Sequence, residues 1–186
     1  MIDRKMNPSV RAAPWRYRTP AILLHWVLAF LILGLVVIGW YMMYIEEDPK
    51  SAWFFDKHKS FGMIVFALVV IRILWRAGHQ PAPLPESVPK WQVRLARATQ
   101  WGLYVSIFLM PVLGFFGASY SKDGVTFFGS QLPAWIAPNH DKSELFFSLH
   151  IALAWLMILL IALHVAGALK HLLVDRDGVF HRMWLS

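Results

Sequence analysis

Four apolar runs, each long enough to cross a bilayer as a helix, constrain this chain more than any other feature. They occupy about residues 20–44, 58–76, 98–117 and 146–170. A helix rising about 1.5 Å per residue needs about 20 residues to cross a hydrocarbon core. Charged residues gather between the runs and do not recur at helical spacing inside them, so the runs are not the inward faces of soluble helices. With 58% hydrophobic and 16% charged residues, the 186-residue composition departs from that of soluble domains in the same direction. The expectation is an all-α integral membrane protein, a four-helix bundle forming a single membrane domain over residues 1–186, with lipid as its solvent.

Arg11, Arg16 and Arg18 precede the first run, as basic residues precede an export signal. The run from residue 21 to 44 is too long for a signal and has no clear small-residue cleavage site, so it reads as a retained first helix. Four spans put both termini on one side of the membrane. Of the 18 Lys and Arg residues, 13 fall on that side, from Arg4 and Lys5 through Arg72, Arg76, Lys90, Arg94 and Arg97 to Arg182. The other side holds Lys50, Lys57, Lys59, Lys122 and Lys142. The positive-inside tendency makes both termini cytoplasmic, in a multi-pass protein of a bacterial inner membrane. Trp40, Tyr41, Tyr44 and Trp53 mark one interface, and Trp75, Trp91 and Trp101 the other. The net charge of +7 follows from this asymmetry, so no nucleic-acid partner is needed; anionic lipid is attracted to the same face.

Pro81, Pro83, Pro85 and Pro89 preclude a helix between the second and third runs and predict a stiff connector. Residues 118–144 are rich in Phe and Trp and are expected to fold over the periplasmic face. Pro111 is expected to kink the third helix, and Gly114 and Gly117 to permit close packing beyond it.

The chemistry lies in histidine. The chain has no cysteine, which excludes disulfides, iron–sulfur clusters and covalent c-type haem attachment. Of its eight histidines, His79, His140, His171 and His181 fall in connections or the tail, where a solvated ring is the ordinary state. His25, His58, His150 and His164 fall within spans or at a span's end, where an ionisable group needs a partner or a cofactor. His150 and His164 are fourteen residues apart, on nearly one face and about 21 Å apart along the axis. His164 precedes Lys170 by six residues, and His25 follows Arg18 by seven. Both therefore lie about 10 Å inside the same boundary. His58 and His150 pair less evenly at the opposite boundary, a mismatch removed if the second helix begins near Ser51 with its hydroxyl as cap.

Two imidazoles without a third ligand are too few for a tetrahedral zinc site but complete the axial positions of a porphyrin iron. The residues four positions after the four ligands, Ala29, Gly62, Ala154 and Ala168, are small enough to admit a flat macrocycle. These residues therefore predict two non-covalent b-type haems with His25, His164, His58 and His150 as iron ligands. The competing account is histidine packing or a proton relay without a cofactor, which four rings at two matched depths disfavour. Arg72, fourteen residues after His58, either pairs with a propionate of the cytoplasmic haem or, like Arg76, snorkels to the interface. Lys59 and its neighbour Lys57 either hold the periplasmic propionates, or draw in an anion, or simply mark the interface.

The pattern resembles the bacterial four-helix cytochrome b561 family over essentially the whole chain. The resemblance rests on Ile22-Leu23-Leu24-His25-Trp26, on His58-Lys59-Ser60-Phe61-Gly62 followed by Arg72 and Arg76, and on Leu149-His150 and Leu163-His164. It implies a di-haem inner-membrane cytochrome that exchanges electrons with a ubiquinone-type quinone, with superoxide as one periplasmic donor known in the family. Neither composition nor spacing identifies a quinone pocket; Trp75, Arg76 and Trp91 are the candidate neighbours of one. The expected activity is that of a quinone-linked oxidoreductase, possessing no catalytic side chain of its own. The rival expectation is a haem-bearing anchor that relays electrons from a separate periplasmic redox protein, a dehydrogenase or hydrogenase; a third is a haem-free structural protein.

Overall fold

The computed structural model describes residues 15–80 and 82–185. Arg4, Lys5 and Arg11 of the basic tally, and Pro81 of the connector, lie outside them. Four helices account for most of the fold: α1 (Thr19–Tyr44), α2 (Ser51–Gly78), α3 (Lys90–Tyr120) and α4 (His140–Lys170). All four are long and apolar enough to cross a membrane. α1 packs on α2, α3 on α4, and α2 on α3.

Three helices begin well before their apolar runs. Hydropathy marks only the hydrocarbon core, whereas the helices continue through the interface, where Lys57, Lys59, Arg94 and Arg97 meet water. α2 does begin at Ser51, but not through the expected cap. Lys50 occupies the cap position, and the Ser51 hydroxyl donates instead to the Glu46 carbonyl at 3.1 Å, tying the α1–α2 turn. α1 has proline in its first turn, and α3 starts directly after Pro89; both positions suit a residue with fixed φ and no N–H. At α4 the Asn139 side chain accepts from the Lys142 N–H at 3.0 Å, a true N-cap. α3 runs through Pro111 without interruption.

The connection between α3 and α4 carries a feature that hydropathy alone did not reveal, a short hairpin of β1 (Thr126–Phe127) and β2 (Ser130–Gln131). Its two turn residues, Phe128 and Gly129, have φ of 47° and 85°. Both signs are those of the tight turn whose twist suits a hairpin, and Phe128 adopts it at a cost of about 1–3 kcal/mol. α2 offsets that cost. The Ser60 hydroxyl accepts from the Phe128 N–H at 2.8 Å, and an Asp56 carboxylate oxygen accepts from the Gly129 N–H at 2.9 Å. The hairpin thus sits on the first turns of α2. The opposite end of the bundle holds residues 15–18, the connector after α2, and the tail, in which a π-helical turn (His171–Asp175) and a 3-10 turn (Phe180–Met183) follow α4.

Leu28, Ile32, Val65, Val69 and Met157 form the buried apolar core. Small polar residues sit at close helix contacts, as is usual where burial from water does not drive association. Ser143 is one: its buried hydroxyl donates to the Gly117 carbonyl at 2.9 Å, across α3 and α4. Ser143→Ala is expected to destabilise the bundle by about 0.5–1 kcal/mol, read as a lower unfolding midpoint in detergent. An unchanged midpoint would show that this bond adds nothing.

Candidate functional site

The four histidines of the spans form two pairs. His25 of α1 faces His164 of α4 at 6.1 Å between ring centroids, with the planes at 75°. His58 of α2 faces His150 of α4 at 6.1 Å and 73°. α4 thus contributes one ring to each pair, the second pair at the hairpin end and the first at the end near the termini. Between them lies the apolar core, with Met157 midway between His150 and His164 in the chain.

The pairs fit a porphyrin iron on three counts. Metal–nitrogen bonds of about 2 Å to each ring place two imidazole centroids about 6 Å apart, the separation both pairs have. No hydrogen bond joins the rings of either pair, so neither ring satisfies a nitrogen of the other. The helices that carry partner rings, α1 with α4 and α2 with α4, approach each other far less closely than α1–α2 or α3–α4, as a flat group held between them would require. Among the described residues, the one trio able to converge on a single metal ion is His171, Asp175 and Asp177, outside both pairs. A zinc-type donor set is therefore not found at either pair.

The neighbouring helices seat the hairpin-end rings in the same way. His150 Nδ1 lies 3.0 Å from the Met110 carbonyl on α3, which directs Nε2 to the pair. One turn on, a Cβ on Gly114 would stand 3.2 Å from the His150 ring. His58 Nδ1 is buried and closes no hydrogen bond; the backbone carbonyl facing it is that of Leu35 on α1. One turn on from Leu35, a Cβ on Gly39 would stand 3.2 Å from the His58 ring. Each ring thus faces a carbonyl and, four residues later, a glycine. Sequence spacing marks Gly114 only as a packing residue and does not single out Gly39, because the partner helix of a glycine cannot be read from spacing.

Arg72 donates to the Ala21 carbonyl at 2.7 Å, one turn from His25, and its charge reaches both His25 and His164. Four of its five N–H groups remain for other acceptors. Lys59 donates to the Gly124 carbonyl at 3.2 Å, which fastens the hairpin loop with one of three ammonium hydrogens. Lys57 pairs with Asp56 at 3.0 Å and lies 5.1 Å from the Phe128 ring.

At the terminal end, Tyr17, Ala21, Arg72, Trp75, Arg76, His79 and Tyr104 line a small pocket. Trp75 Nε1 is buried there without a partner. Of the three residues associated above with a quinone, Trp75 and Arg76 meet in this pocket, whereas Trp91 is exposed and does not line it. Two of the peripheral histidines are less solvated than expected. His79 stacks on Trp75 at 4.1 Å, and His171 Nδ1 lies 2.7 Å from Asp177 and 3.3 Å from Asp175, a cluster that Lys170 completes.

A four-span helical protein whose half-buried histidines stand at bis-imidazole separation is of the membrane b-type cytochrome class. The chain belongs to the prokaryotic cytochrome b561 family, whose model matches residues 16–186. It is 30% identical to cytochrome b561 homolog 2 of Escherichia coli (strain K12) over 91% of this chain and 92% of that protein. It is 24% identical to cytochrome b561 homolog 1 of the same organism, over 90% and 96%. To a protein of Yersinia pestis named probable superoxide oxidase CybB it is 27% identical, over 90% and 95%. Membership makes it a multi-pass membrane protein that binds haem b and transfers electrons.

Gly39→Ala and Gly114→Ala are expected to displace His58 and His150 respectively, and to lower occupancy or shift the spectrum of the haem at the hairpin end only. Optical and EPR spectra of the purified variants check this. An equal effect on every haem signal, or none, would contradict the seating described.

Proposed function

We propose that the chain holds two haem b groups, one between His25 and His164 and one between His58 and His150, and carries electrons from a periplasmic donor to a ubiquinone-type quinone. The observation that carries the reading is the equal 6.1 Å ring separation in two pairs at opposite ends of one bundle. The excess of Lys and Arg supports a cytoplasmic location for both termini, hence for the His25–His164 end, in a bacterial inner membrane.

Bound haem b supplies a one-electron ferric/ferrous couple at each pair. The protein's part is ligation, orientation and exclusion of water. The Met110 carbonyl fixes which nitrogen His150 presents. Arg72 is held by Ala21 with donors to spare for a cytoplasmic propionate. Lys59, with hydrogens left after Gly124, offers the same at the periplasmic end. The Trp75 N–H, Arg76 and the Tyr17 and Tyr104 hydroxyls make a donor-rich cytoplasmic pocket that suits a quinone carbonyl oxygen.

Superoxide is the donor favoured here. The likeness to the Yersinia protein supports it, and Lys57 and Lys59 flank His58 at the face where a small anion would arrive. In the balanced reaction two superoxide anions lose one electron each to give dioxygen, and the quinone takes two electrons and two protons. Liposomes carrying the purified chain and a short-chain ubiquinone, exposed to enzymatically generated superoxide, are expected to form quinol faster than protein-free liposomes. His58→Ala should abolish the gain. Equal rates with and without the chain would overturn superoxide as donor.

A further inference from the structure

Arg182 is a charged side chain only 5% exposed, and no carboxylate lies within ion-pair distance among the described residues. Its partners are backbone carbonyls and aromatic faces. Nε donates to the Trp15 carbonyl at 2.9 Å, and a terminal nitrogen donates to the Ala82 carbonyl. The guanidinium lies 4.5 Å from the Trp15 ring and 5.6 Å from the Tyr17 ring. The Arg182 carbonyl accepts from the Tyr17 N–H at 3.2 Å. One residue near the end of the chain thus ties together the entry to α1, the connector after α2, and the tail. Burying a guanidinium without a carboxylate is costly, and here two carbonyl acceptors and two aromatic faces offset that cost.

That geometry reaches the site through Trp26. The indole N–H of Trp26 donates to the Met183 carbonyl at 2.8 Å, next in the chain to Arg182. Its ring lies 5.9 Å from Trp184, edge to face. Trp26 directly follows His25, and the two rings pack at 5.5 Å.

We infer that Phe180–Trp184 is a clasp, pinned by Arg182, that orients His25 through Trp26 and closes the terminal end of the bundle over the haem held by His25 and His164. The inference rests on the ligand reading given above. Arg182 and Trp26 are positioning residues. Groups one step beyond a ligand set its orientation, and solvent access sets the local dielectric, so both act on the potential of a bound iron.

The test is a redox titration with EPR on purified wild type, Arg182→Met, Arg182→Lys and Trp26→Phe, with the His25→Ala variant identifying which signal belongs to this end. In Arg182→Met and Trp26→Phe the midpoint and g-values of that haem alone are expected to move, and Arg182→Lys, which keeps the charge, should lie between Arg182→Met and wild type. If Arg182→Met fails to accumulate, Trp26→Phe decides, because phenylalanine keeps an aromatic ring but has neither the N–H nor the full width of the indole. Unchanged signals, or equal movement of both haems, would overturn the clasp while leaving the ligand reading intact. A fully folded wild type with no haem would overturn both.

Discussion

An imidazole inside a hydrocarbon slab has few ways to satisfy its nitrogens, and the architecture of this chain is organised around four of them. Each needs a hydrogen bond or a metal on at least one ring nitrogen, because water is absent. Antiparallel helices allow ligands from different spans to meet at one depth, and α4, whose two histidines are fourteen residues apart, can serve both depths from a single face. The rest of the bundle fits this demand. Leu28, Ile32, Val65, Val69 and Met157 fill the space between the two pairs and keep it dry, so each pair sits at an end of the bundle with its own surroundings.

Those surroundings differ. At the hairpin end the rings are seated by backbone: a carbonyl from the adjoining helix faces Nδ1, and a glycine one turn on leaves room for the ring. The relation occurs once in α1–α2 and once in α3–α4, with Leu35 and Gly39 matched by Met110 and Gly114. A glycine in a helix interior weakens it by roughly 0.5–1 kcal/mol, a cost that this contact explains at both positions. The hairpin adds a second restraint. Asp56 and Ser60, two residues to either side of His58, hold the strained turn at Phe128 and Gly129, so the loop and the helix that carries His58 fix one another. At the terminal end, side chains take over: Arg72, Trp26 and Arg182 connect the site to the connector and the tail.

The long apolar helices and the pairing of the histidines were legible in the sequence because both depend on local pattern: apolar length for the helices, and depth counted from charged boundaries for His25, His58, His150 and His164. What escaped depends on contacts between distant segments. Spacing within α1 cannot show that Gly39 meets a ring on α2, and a Phe-Gly turn gives no strong hairpin signal, since its left-handed Phe128 is tolerated only because α2 supplies the acceptors. α2, α3 and α4 begin six to eight residues before their apolar runs, because polar interfacial turns extend each helix beyond its hydropathic signal. Ser51 began α2 but bonded backwards to Glu46, a choice made by the turn and not by the helix. Arg182 looked like one more basic residue of the cytoplasmic face; its burial is visible only once the tail is seen against Trp15 and Ala82.

The central claim is that each pair of histidines holds one haem. Pyridine haemochrome quantification with reduced-minus-oxidised spectra, on the detergent-purified chain and its four single histidine-to-alanine variants, tests it most directly. The account predicts two b-type haems per chain, with His25→Ala and His164→Ala losing one signal and His58→Ala and His150→Ala losing the other. Loss of different centres within a pair, or a folded wild-type chain without haem, would contradict it.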